Sequence, residues 1–97
     1  MSAEAAAKLN RMMELSVEVA YAQKAKIPGV KVGGKTGTAE VGDGRVPDSW
    51  FIGYAPSDNP RVAVAVVLEN LGSGSDYATP AGQKVMAAAL AAHKPAR

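Results

Sequence analysis

The 97-residue chain has no cysteine, so no disulfide and no thiolate metal site can hold it together. That absence leaves the compartment open and is compatible with an oxidising exterior. Aromatics are scarce: Tyr21, Trp50, Phe51, Tyr54 and Tyr77 are the whole set. With a formal charge of +2 and scattered lysines and arginines, they make no basic-aromatic pattern of the kind that binds nucleic acid. Long apolar runs are missing too. The longest, VAVAVVL at 62–68, falls far short of the roughly 20 residues that cross a bilayer. No signal peptide is recognisable, so any anchor or export signal is expected to lie outside these residues. The single histidine, His93, has no acidic or imidazole neighbour spaced for a metal or a triad. No metal and no cofactor is expected.

What is present suits a small fold. Apolar residues make up 47% of the chain and charges of both signs are interspersed, which is the composition of a folded domain. The length allows one small domain, or a piece of a larger one, with a modest core. Residues 3–23 read as a helix, with Ser2 as N-cap and Glu4 in the first turn. Leu9, Met12, Met13, Ser16, Val17 and Ala20 recur at spacings of three and four as an apolar stripe. Lys8, Arg11, Glu14 and Glu18 supply the other face, Glu14 and Glu18 being like charges one turn apart. Pro28-Gly29 then turns the chain.

Three strands follow, at 30–40, 49–55 and 61–69, divided by GDG at 42–44 and PSDNP at 56–60. Links this short favour an antiparallel meander over crossovers. NLGSGSD at 70–76 reads as a flexible loop. Thr79 is expected to cap a second helix, 80–93, with Pro80 at its first position and His93 in its last turn. The class is α+β: helix, three-stranded meander, helix, with both helices free to cover one sheet face. Met12, Met13 and Met86 read as core filler. Trp50, Ile52 and Tyr54 read as sheet packing. The third strand lacks polar alternation, as strands buried on both faces do. At the edge of a meander it would template aggregation, so a further strand is expected beside it and the chain reads as incomplete.

The first strand is unusually bare. VGGKTGTAEVG at 32–42 puts glycine where strands prefer side chains that pack. Alternation sets Thr36 and Thr38 on one face with hydroxyls at most about 7 Å apart, a spacing that suits the two oxygens of one carboxylate. Lys35 starts on the other face, but its stem is long enough to round an edge. Gly33, Gly37 and Ala39 on that face leave room for another element to approach. Glu40 reads as an exposed carboxylate at the strand end.

GGKTGTAE, then SWFIGYAP, then RVAVAVVLEN resembles the C-terminal part of the transpeptidase domain of class B penicillin-binding proteins. It corresponds to about the last third of such a domain. The family's three motifs run S-x-x-K, S-x-N, K-T-G, and this sequence holds the third. None of its serines, at 2, 16, 49, 57, 73 and 75, is followed three residues on by lysine. Ser57-Asp58-Asn59 spells the middle motif, but it follows K-T-G and sits before Pro60, where turn chemistry accounts for it.

The resemblance implies a peptidoglycan D,D-transpeptidase acting through a serine acyl-enzyme. Lys35, Thr36, Gly37 and Thr38 would bind the carboxylate of a stem peptide or a β-lactam, with Lys35 acting electrostatically. The Thr38 N–H would serve as an oxyanion-hole donor. It also implies a five-stranded sheet, of which this chain carries three strands. The partner would be the remainder of the domain, bearing the serine and its lysine. The setting would be the outer face of the bacterial cytoplasmic membrane, with the anchor elsewhere. Alone, the chain is expected to be inactive. The alternatives are a non-catalytic assembly fragment or a piece of a serine β-lactamase, against which the GTAE continuation and the lack of a deacylating residue weigh.

Overall fold

The computed structural model describes residues 1–92, so the expectation for His93 lies outside the described residues. The elements are α1 (Ala3–Val19), β1 (Gly33–Ala39), β2 (Asp48–Ala55), β3 (Val62–Leu68) and α2 (Ala78–Ala92). The sheet is an antiparallel meander in the order β1-β2-β3, in register Lys35 to Ile52, Thr36 to Phe51 and Phe51 to Val66. The α+β architecture is the one expected.

The first helix stops four residues before position 23. Ser2 caps it as anticipated, accepting from the Ala5 N–H at 3.0 Å. It ends at Val19 because the chain must fold inward to bury Ala22 and Ala25, which it does through a 3₁₀ turn, Gln23–Ala25. Pro28-Gly29 makes the turn that follows. Gly29 has φ +76° and the Val30 N–H donates to Ile27 C=O, a type II pattern. Val30 and Lys31 are thereby taken out of the strand, since Val30 bridges Ile27 and Lys31 C=O accepts from the Ser57 N–H.

The buried stripe of α1 is rotated from the one expected. Met13 is half-buried, but Leu9 and Met12 are exposed, so Met12 is not core filler. Glu14, assigned to the polar face, is buried at 7% exposure and accepts from Ser57 Oγ in the β2–β3 turn. Arg11 reaches both Glu14 (3.3 Å) and Glu18 (3.2 Å), turning the like-charge pair into a three-group cluster. The hydrogen bond from Ser57, with Arg11 and Lys31 nearby, holds the Glu14 carboxyl below its ordinary range despite burial. Beside it the Tyr54 hydroxyl donates to Asn10 Oδ1, and burial raises that phenol.

The two helices do not share a sheet face. Phe51, fully buried, is the centre of the α2 side. A Cβ at Gly82 of α2 would lie 2.3 Å from its ring, and one at Gly53 would lie 2.6 Å from it. Met86 and Leu90 complete that layer. By contrast α1 meets the opposite face, through Asn10 and Tyr54. The division follows from alternation along β2, which sends Phe51 and Tyr54 opposite ways. β3 is half-buried on the Phe51 side at Val62, Val64 and Val66, and exposed at Ala63, Ala65 and Val67 on the other. Two-sided burial of this strand is therefore not found among the described residues.

Helix α2 begins two residues earlier than expected. Ser49 Oγ on β2 accepts from the Ala78 N–H at 2.9 Å, so a strand side chain takes one of the orphan donors of the first turn. Thr79 is consequently inside the helix and not its cap, and Pro80 sits in the first turn, where its missing N–H costs nothing.

Candidate functional site

Lys35, Thr36, Gly37 and Thr38 occupy four consecutive positions of β1, an edge of the sheet. Pairing with β2 puts Thr36 and Thr38 on the face of Phe51 and Ser49, and Lys35 and Gly37 on the face of Ile52 and Trp50. The lysine is exposed and folds back along its own strand, Nζ donating to Thr36 C=O at 2.6 Å. Thr38 is exposed and Thr36 half-buried. Glu40 is exposed just past the strand, lining a shallow hollow with Arg45 and Pro47.

The glycines of this strand have separate reasons. Gly33 is bare because the Tyr54 ring lies over it, where a Cβ would stand 2.4 Å from Cζ. Gly34 makes room for Phe51 in the same way, at 2.8 Å. So Gly33, contrary to expectation, does not hold space for an outside element. Gly37 is different: among the described residues a Cβ there would meet only Trp50 Cβ, at 3.4 Å. Its open side belongs to an apolar surface where Trp50 and Ile52 stand 40% and 46% exposed, so the sheet packing expected of these two is only partial within the described residues. Between that surface and α1 runs a groove of about 670 Å³, lined by Leu9, Met12, Ser16, Val19, Lys35 and Ile52.

The segment 70–76, expected from the sequence to be a flexible loop, is tied down along its length. Asn70 N–H donates to Asp48 Oδ1 (2.9 Å) and Gly72 N–H to Pro47 C=O (2.8 Å). Ser49 Oγ donates to Ser73 C=O at 2.8 Å. Gly74 C=O accepts from both Thr79 N–H (2.9 Å) and Thr79 Oγ1 (2.8 Å). Gly74 N–H donates to Thr38 Oγ1 at 3.1 Å. Sequence reasoning missed this contact because 36 residues separate the partners. The one available signal was a glycine in a serine-rich stretch directly before a helix.

Ser57 is buried in the β2–β3 turn, with its hydroxyl committed to Glu14 and its N–H to Lys31 C=O. It is a structural tie between α1 and the turn, in keeping with the turn reading of Ser57-Asp58-Asn59. No helix among the described residues is long and apolar enough to cross a membrane.

Residues 1–87 match the family model described as the penicillin binding protein transpeptidase domain. The chain is 45% identical over 97 residues to peptidoglycan D,D-transpeptidase PbpA of Mycobacterium tuberculosis H37Rv, covering 92% of this chain and 20% of that protein. It is 40% identical over 70 residues to peptidoglycan D,D-transpeptidase MrdA of Haemophilus influenzae, covering 58% of this chain and 11% of that one. Among solved structures, the transpeptidase domain of FtsI4 from Legionella pneumophila superposes with a TM-score of 0.84 at 37% identity. That match covers 93% of this chain and 37% of the other. Penicillin-binding protein A from M. tuberculosis, solved as a ceftriaxone acyl-enzyme complex, gives 0.83 at 42% identity, covering 93% and 22%. The chain thus spans about a fifth of the length of PbpA, at 20%. By sequence and by fold, the chain belongs to the penicillin-binding protein transpeptidase domain family.

Proposed function

We propose that the chain supplies one wall of a peptidoglycan D,D-transpeptidase active site, the wall that binds the carboxylate of a stem peptide or a β-lactam. The reading is carried by one observation: Lys35, Thr36, Gly37 and Thr38 stand together on a sheet edge, with Lys35 and Thr38 exposed. Lys35 supplies positive charge, and the hydroxyls of Thr36 and Thr38 donate to the two carboxylate oxygens. The Thr38 N–H is one oxyanion-hole donor, and Gly37 admits the substrate backbone.

The nucleophilic serine, its lysine and the S-x-N group come from the remainder of the domain. That remainder packs over the open Trp50 and Ile52 face and brings two further strands to the sheet. The reaction is serine acylation: the serine oxygen attacks the donor carbonyl, the terminal D-alanine leaves, and an amine acceptor later displaces the serine. The place of action is the outer face of the bacterial cytoplasmic membrane, with the anchor outside this chain.

In the complete domain, Lys35→Ala and Thr38→Val are each expected to slow acylation by a penicillin roughly ten- to a hundredfold, the worth of a hydrogen bond to a charged group. Their folds should stay intact by thermal melting. The penicillin methyl ester, which lacks the carboxylate, should acylate wild type and Thr38→Val alike. Unchanged penicillin acylation in both variants would rule out the assigned roles.

A further inference from the structure

A hydroxyl can accept two hydrogen bonds but donates one, and its proton turns to suit its neighbours. At Thr38 one lone pair is already occupied by the Gly74 N–H at 3.1 Å. The hydroxyl proton is then directed away from that N–H. Gly74 is itself buried and pressed against the strand. A Cβ there would lie 2.3 Å from Gly37 C=O oxygen, 2.4 Å from Trp50 C=O oxygen and 2.9 Å from Gly37 nitrogen, all backbone atoms that cannot swing aside. Only glycine lets the loop sit this close. Two hydroxyls hold it there. Ser49 joins Ser73 C=O to the Ala78 N–H, and Thr79 donates to Gly74 C=O.

We infer that Gly74 is a positioning residue for the transpeptidase site, its N–H fixing the Thr38 hydroxyl as a donor to the substrate carboxylate. Ser49 and Thr79 act one step further out, by holding Gly74 against β1. The inference rests on the carboxylate-binding reading of Thr38, and adds that the loop before α2 sets how well that threonine works.

A double-mutant cycle in the complete domain tests it, reading the second-order rate of acylation by a penicillin. Gly74→Ala must push the loop off the strand and break the bond to Thr38. It is expected to slow acylation roughly tenfold, as loss of one modest hydrogen bond's worth of orientation does. In a Thr38→Val background the same substitution should have no further effect, because the hydroxyl it positions is gone. In a Thr38→Ser background, which restores the hydroxyl, its effect should return. A purely structural role would instead slow all three backgrounds equally. Ser49→Ala adds no atoms and should reproduce the pattern in weaker form, and it decides the matter if Gly74→Ala does not fold. Additive effects, or wild-type rates in both loop variants, would overturn the inference while leaving the role of Thr38 standing. A Thr38→Val variant that acylates normally would remove the carboxylate reading itself.

Discussion

Glu14 is the clearest case of a residue whose sequence neighbours misdescribe it. Three lysine, arginine or glutamate residues at helical spacing mark a solvated face, yet Glu14 is turned inward because Ser57, 43 residues away, presents a hydroxyl to it. A carboxylate held below its ordinary range binds a proton less readily in the folded chain than in the unfolded one. Its contribution is therefore complete above the unfolded carboxylate value, about 4.3. It is lost as pH falls through the lower native value. Glu14→Gln in the complete domain should flatten the acid side of the stability profile, read as urea midpoints from neutral pH downwards. A variant whose acid limb matches wild type would show that this cluster does not set it. At the same scale, the placement of Lys35, Thr36, Gly37 and Thr38 on one strand, with the two threonines sharing a face, is legible, since motif and alternation act over a few residues. Gly74 was not, because a glycine states what a position tolerates and never whom its N–H meets.

At the scale of elements, the order helix, three strands, helix was readable from turn residues and β-branched runs. Those signals are local. What could not be read were ends and faces. The first helix stops at Val19 and β1 starts at Gly33 because Ala22, Ala25 and the Ile27–Val30 turn answer to the core. The two helices took opposite sheet faces because Phe51 and Tyr54 alternate, and nothing in either helix says which ring it will meet. The Phe51 layer makes a sharp prediction. Gly82→Ala should gain about 1 kcal/mol of helix propensity. Against that, a methyl 2.3 Å from a fully buried ring overpacks the core, at a cost of about 1–3 kcal/mol. The second effect wins. The complete domain should lose stability by urea or thermal denaturation, and a stabilised variant would mean the ring can yield.

For the whole molecule, the telling feature is the part of the α1 side of the sheet that this helix leaves exposed among the described residues. Trp50, Ile52 and Val67 stand 40%, 46% and 41% exposed there, next to Lys35 and Gly37. An apolar surface of this kind beside a sheet edge marks a contact surface, and under the proposed function the remainder of the domain covers it. The chain spans 20% of PbpA and 37% of the FtsI4 transpeptidase domain. Under the proposed function this chain carries the carboxylate wall of the site and the nucleophile comes from elsewhere. Mass spectrometry after reaction with a fluorescent penicillin tests it most directly, on the isolated 97 residues and on the complete protein. The isolated chain is expected to keep its mass, while the complete protein gains one penicillin on a serine outside these residues. A stoichiometric adduct on any of Ser2, Ser16, Ser49, Ser57, Ser73 or Ser75 would contradict it.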